Sequence, residues 1–262
     1  MDAMSVVGRR SVRRTKIDYG PAPSQFGHLY VPSDGLDATS PARLVVLVHG
    51  GSWSVEFGST TQTAIARMLA ERGAAVWNIE YRRVGEEGGG WPNTGRDVID
   101  ALGALDGPVR DLLPAGGVDF SSTAVVGHSA GGQLAVWAVG QLGARTATAT
   151  ITTVVAQAAV LDTVGAADRE SVRAFMGRPF SESPRRYRDA SPLLAPVVDA
   201  HVVAIHGETD ELIPIESSRR YVDAAIERGQ SAEFLAVPGE GHDAFVDPRS
   251  VCTRQTIRVL GI

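Results

Sequence analysis

The sequence predicts an α/β fold, and three observations carry that expectation. Short, uninterrupted apolar runs rich in β-branched residues recur at 44–48, 74–79, 124–126, 151–160, 202–205 and 234–237. Between them lie stretches whose apolar residues repeat at helical spacing. Glycine-containing loops with Ser, Asp or His follow the ends of several runs. Runs that do not alternate apolar with polar suit strands buried on both faces of a parallel sheet. Strand–helix alternation at this rhythm implies right-handed crossovers and helices on both faces of one sheet.

The elements follow in order. An N-terminal hairpin precedes residues 32–42, a Pro/Ser/Asp-rich surface loop. Ser59 or Thr60 caps a helix that carries Ile65, Met68 and Leu69 on one face and stops at Gly73. Pro92 and Asn93 open a second helix with Val98, Ala101, Leu102 and Leu105 inward, ended by Gly107-Pro108. An apolar helix with Leu134, Val136, Trp137 and Val139 follows the run at 124–126. Pro214 precedes another, with Tyr221, Val222, Ala225 and Ile226 facing inward before Gly229. Asp247 as N-cap and Pro248 in the first turn start the last helix. Residues 162–200 break the rhythm and hold a helical stretch at 169–176. They form either a small cap over a site or a surface excursion with one buried hydrophobic edge.

Length and composition bound the function. The 262 residues are 44% hydrophobic and 21% charged, with a net charge of −5, as in a soluble globule forming one domain over 1–262. No apolar stretch nears the roughly 18–20 residues that span a bilayer. Arg9, Arg10, Arg13 and Arg14 are followed by no apolar core of a signal peptide, so no leader is expected. Cys252 is the single cysteine, which excludes an internal disulfide and a multi-cysteine metal site and suits a reducing, cytoplasmic setting. Lys16 is the one lysine among 25 basic residues and sits in no Schiff-base or P-loop motif. Such arginine bias, with abundant Ala, Gly and Val, suits a GC-rich bacterial genome. The acidic balance argues against nucleic acid as a partner, and the Arg185-Arg186 pair reads as a solvated helix face.

Four motifs carry chemistry. Gly127-His128-Ser129-Ala130-Gly131-Gly132 stands between a strand and an apolar helix, where a serine flanked by glycines makes a nucleophile elbow. His49-Gly50-Gly51-Ser52-Trp53 leaves a buried strand. The N–H groups of Gly51 and Ser52, with that of Ala130, would form an oxyanion hole. His49 either holds this loop's shape or acts as a base, and the first reading is preferred. His206-Gly207-Glu208-Thr209-Asp210 and Gly239-Glu240-Gly241-His242-Asp243 follow the last two strands. Ser129, Asp210 and His242 then supply nucleophile, acid and base, since a serine hydroxyl needs a neighbour to take its proton. Asp162, after the run at 151–160, is a rival acid. The six histidines sit in separate motifs without metal-ligand spacing, and no metal is expected.

In order, these motifs resemble the α/β-hydrolase superfamily over about residues 26–262. The His49–Trp53 box is similar to the H-G-G-x-W segment of kynurenine formamidases and related carboxylesterases. His206–Asp210 with Ile213-Pro214 resembles a segment of prolyl-oligopeptidase-like and acetyl-esterase-like members. The resemblance implies a serine hydrolase without metal or organic cofactor, and an insertion after the sixth strand that covers the site.

Three function classes follow. The first is hydrolysis of a small-molecule carboxylic ester or N-acyl amide, possible substrates including N-formyl aryl amides. The second is a biosynthetic cyclase, epimerase or acyltransferase using the same site. The third is a binding protein on a hydrolase scaffold, disfavoured because no triad member is missing. Trp53 is either pocket wall or core, with wall preferred. Trp91, on the loop Gly88-Gly89-Gly90, and Phe175 and Phe180 of the insertion complete an aromatic pocket.

Overall fold

A computed structural model describes residues 10–262; residues 1–9, which include Arg9 of the leader reading, lie outside the described residues. The eight strands are β1 (Val12–Asp18), β2 (Phe26–Pro32), β3 (Ala42–Val48), β4 (Ala75–Ile79), β5 (Val118–His128), β6 (Ile151–Gln157), β7 (His201–Gly207) and β8 (Ala232–Val237). They form one sheet in the order β1-β2-β4-β3-β5-β6-β7-β8. The β1–β2 and β2–β4 pairs are antiparallel, and every pair from β4 to β8 is parallel.

Alternate strand residues divide the core into two layers. Val45, Leu47, Val76, Ala124, Val126, Val155 and Ile205 meet α1 (Thr63–Glu71) and α7 (Val251–Leu260) on one face. Val46, Val48, Trp77, Val125, Val154 and Ala204 meet α2 (Asn93–Gly103), α3 (Ala130–Gln141) and α6 (Ile215–Glu227) on the other. This period-two division explains why the strands read as continuous apolar runs. Among the described residues, no helix is long and apolar enough to cross a membrane.

Several boundaries differ from the sequence reading. β6 stops at Gln157 because Ala158 takes a positive φ of 44° and bends the chain away. β5 starts earlier, at Val118, with a half-exposed polar stretch that shows no apolar run. Ile226 is 54% exposed and lies outside the inward face that Tyr221, Val222 and Ala225 form. The last helix is capped by Ser250, whose side chain accepts from Thr253 N–H, whereas Asp247 accepts from Arg249 N–H in the preceding turn. No side chain caps the 3₁₀ turn at Ser59–Gln62 or α1.

The chain runs from β3 sideways to β4, then back across β3 to β5. Its connections pass over opposite faces, so a crevice opens between the carboxyl ends of β3 and β5. Open α/β sheets offer ligand sites at such a switch point. The His49 loop leaves β3 there, and Ser129 follows β5.

Candidate active site

Ser129 sits at φ 53° and ψ −118°, a conformation that a non-glycine residue reaches at a cost of about 1–3 kcal/mol. The surroundings hold it there. Its N–H donates to the Gln157 carbonyl at 2.8 Å, and its carbonyl accepts from Gly132 N–H at 3.1 Å. A Cβ on Gly127 would run into the Gly131 carbonyl, and one on Gly131 into the carbonyls of Val48 and His49. The glycines therefore allow β3, β5 and α3 to converge on the serine.

Gly51, Ser52 and Trp53 all have positive φ, at 107°, 54° and 56°. The N–H groups of Gly51, Ser52 and Ala130 donate to no protein acceptor among the described residues. Ala130 is the first residue of α3, so its N–H also lies at the positive end of the helix dipole. His49 is buried behind this loop. Its Nδ1 lies 2.7 Å from the Gly50 carbonyl and its Nε2 2.7 Å from Glu80 Oε1, while its ring stacks on Tyr81 at 4.2 Å. Burial would push the Glu80 carboxyl up. The hydrogen bond and charge of His49, with Ser59 N–H and Arg83, outweigh this and leave it below its ordinary range.

His242 opens a 3₁₀ turn after β8, and its Nδ1–H donates to Asp210 Oδ2 at 2.7 Å. Nε2 is then the nitrogen left to accept a proton. The Asp210 side chain is wholly buried. Its Oδ1 accepts from Leu212 N–H and Ile213 N–H, both at 2.8 Å. Desolvation would raise its carboxyl, but hydrogen bonds from His206, His242 and Ile213 N–H hold it well below the usual range. Asp162 has another occupation: it accepts from Gly165 N–H at 2.8 Å and pairs with Arg220 at 3.2 Å.

His128 ties the serine to the histidine. Its Nε2–H donates to the His242 carbonyl at 3.0 Å, and the two rings stand 4.7 Å apart. Burial, aided by the charge on His242, pulls its pKa down to about 3. An unfolded histidine titrates near pH 6.5, so between pH 6.5 and 3 the unfolded chain binds a proton that the folded one does not. Stability should therefore fall as pH drops through that window. From pH 7.5 to 5.5 His128 should account for about 1 kcal/mol of loss, which His128→Gln should remove. Urea unfolding of both proteins at the two pH values measures this; equal losses would assign the slope to other groups.

The aromatic pocket expected from sequence is not formed. Trp53 is 1% exposed, stacked on Phe175 at 4.3 Å and nearly parallel, and its Nε1–H donates to Gln133 of α3. Trp91 packs edge-on against Trp137 at 4.6 Å, and its N–H donates to the Phe175 carbonyl. Phe180 is half-buried against Tyr187. These rings are core packing, because the positive φ at Trp53 turns its side chain under the loop. They anchor the insertion, whose α5 (Pro184–Asp189) end also accepts from Gln133 at Ala190 and from Trp137 at Asp189. A cleft of about 230 Å³ opens between the loops after β6 and β7, next to the turn that holds Asp210. Val160, Ala166, Ile213 and Pro214 line it, with Arg169 and Arg220 among the charged residues.

Glu80, His128 and His206 are the partners of the site that sequence reading passed over. His128 and His206 lie inside the elbow and acid-loop motifs. The signal that could have found Glu80 was an acidic residue directly after a largely apolar run, at a strand's carboxyl end.

Esterase LipC of Mycobacterium tuberculosis (strain ATCC 25618 / H37Rv) is 29% identical over 252 residues, covering 89% of this chain and 60% of that protein. The chain thus spans less than two thirds of that relative's length. Esterase B from Lactobacillus rhamnosis superposes with a TM-score of 0.78 at 18% identity, over 95% of this chain and 85% of that one. A truncated carbohydrate esterase from gut microbiota gives 0.75 at 19% identity, over 97% and 96%. These two likenesses establish a shared α/β-hydrolase fold. The sequence model of the BD-FAE family matches residues 28–224, and the chain belongs to that family.

Proposed function

We propose that the protein hydrolyses small carboxylic esters through an acyl-serine intermediate. The observation that carries this reading is the buried Asp210–His242 hydrogen bond beside a strained Ser129 at the same sheet edge. His242 Nε2 takes the Ser129 proton as Oγ attacks the ester carbonyl. The oxyanion draws on the N–H groups of Gly51, Ser52 and Ala130. His242 then returns the proton to the departing alcohol. Water, deprotonated by the same nitrogen, releases the acid and restores Ser129. Asp210 keeps the imidazole in the required tautomer and offsets the charge it gains.

The family and the names of its relatives, esterases among them, support ester cleavage. The N-formyl aryl amide reading loses its footing, because the ring expected to stack on the aryl group is buried in the core. We assign the acyl or alkoxy group to the cleft beside the acid loop; its volume is smaller than the roughly 300–1,000 Å³ typical of drug-sized ligands, which favours a short group. Steady-state rates on p-nitrophenyl acetate, p-nitrophenyl octanoate and an N-formyl anilide test this. The acetate should give the highest kcat/KM, with octanoate at least about tenfold lower if its chain outgrows the cleft. Preference for octanoate would overturn the size argument. Turnover of the anilide alone would overturn the ester assignment.

A further inference from the structure

The wholly buried His206 imidazole has no part in the reaction described above, yet both its nitrogens have partners. Its Nε2 lies 3.2 Å from Asp210 Oδ2 and 3.0 Å from the Ile213 carbonyl, both acceptors. Its Nδ1 lies 2.8 Å from Ser218 Oγ on α6, and Ser218 is also buried. Two acceptors at Nε2 require the hydrogen there. Nδ1 of the neutral ring is then an acceptor, and Ser218 O–H donates to it. We propose that His206, with its tautomer set by Ser218, is a positioning residue for the catalytic acid.

The inference rests on Asp210 being that acid. It assigns a meaning to the spacing of His206, Asp210 and Ile213. The loop leaving β7 wraps the imidazole, so the Nε2–H that donates to the carbonyl closing the turn also lies against the carboxylate. Asp210 then accepts Leu212 and Ile213 N–H on Oδ1 and His242 Nδ1–H on Oδ2, and the Nε2–H edge of His206 lies 3.2 Å from that same Oδ2. Partners on both oxygens leave the carboxylate no free rotation. His206 also shares the oxygen that holds His242, so it draws off part of the charge that the histidine would otherwise receive.

Removing this donor has a consequence that loss of packing alone does not. With His206→Phe, the full charge of Asp210 falls on His242 and favours its protonated form. The acid limb of the kcat/KM profile should move to higher pH by about half a unit or more. The value of kcat should fall about 10- to 100-fold, the worth of one charge-assisted hydrogen bond, with KM unchanged. His206→Gln carries an amide N–H at similar reach and should restore the acid limb and most of kcat. The other titratable groups against this pair do not confuse the reading. His128 is pulled down to about 3 and the Cys252 thiol is pushed up to about 12, chiefly by burial, so both stay neutral. Glu240 is engaged by Val251 N–H.

The experiment is the pH profile of p-nitrophenyl acetate hydrolysis for the parent, His206→Phe, His206→Gln, Ser218→Ala and Asp210→Asn, with folding checked by thermal melting. An upward shift in His206→Phe that His206→Gln reverses supports the inference. A parental acid limb in folded His206→Phe overturns it, as does a His206→Gln profile identical to that of His206→Phe. Should His206→Phe not fold, Ser218→Ala decides: a smaller shift in the same direction supports the inference, and a parental profile sinks it. Full activity in Asp210→Asn would instead break the underlying triad reading.

Discussion

Replacing Ser129 with alanine is expected to lower kcat by on the order of 10⁶-fold, the scale on which serine hydrolases lose activity without their nucleophile. The thermal midpoint should move by no more than a few degrees. Stability should hold because alanine meets the same backbone demand as serine at φ 53°, and the Gln157 and Gly132 bonds are made by the backbone. On the proposed mechanism activity should collapse, because Ser129 Oγ is the attacking atom and no other side chain stands at the turn between β5 and α3. A fluorophosphonate should add once to the parent, on a peptide containing Ser129, and not at all to the variant. Stoichiometric labelling of Ser129→Ala would move the nucleophile elsewhere.

Much of this architecture was legible in the sequence because burial on both faces leaves a plain mark. The strands from β3 to β7 read as apolar runs, and the Gly-x-Ser-x-Gly turn reads through glycines whose Cβ atoms would strike neighbouring backbone. What escaped depends on contacts distant in sequence. The amino end of β5 is half-exposed and carries no apolar signature. The buried place of Trp53 is not legible, because a tryptophan beside such a loop looks the same in sequence whether its ring faces a ligand or a core. Only the positive φ at Trp53 and the stacked ring of Phe175, more than a hundred positions away, decide between them. Similarly, His206 pointing at Asp210 depends on the turn that returns Ile213 to the ring. Periodicity carries no information about that closure.

The second large effect separates two carboxylates that sequence position leaves equivalent. Asp210→Asn should lower kcat by about 10⁴-fold, whereas Asp162→Asn should keep kcat within about threefold of the parent. The ring N–H groups on the Oδ2 side of Asp210 need an acceptor there, which an amide cannot supply while its oxygen serves the backbone. An asparagine there can satisfy Leu212 and Ile213 N–H with its carbonyl oxygen, but its NH₂ then faces both histidines. His242 Nδ1 must become the acceptor, which places its hydrogen on Nε2 and leaves nothing to deprotonate Ser129. The parent carboxyl is held well below its ordinary range, so the aspartate stays ionised across any practical assay pH and the defect should not be rescued by raising pH. Asp162 differs in each respect. An asparagine carbonyl still accepts from Gly165 N–H, and the lost partner, Arg220, is 61% exposed, where such pairs contribute little. Because Asp162 lines the cleft beside the acid loop, its replacement should appear in KM. Kinetics of both variants on one short-chain ester decide the matter. If Asp162→Asn were crippled and Asp210→Asn mild, the catalytic acid would belong to the loop after β6.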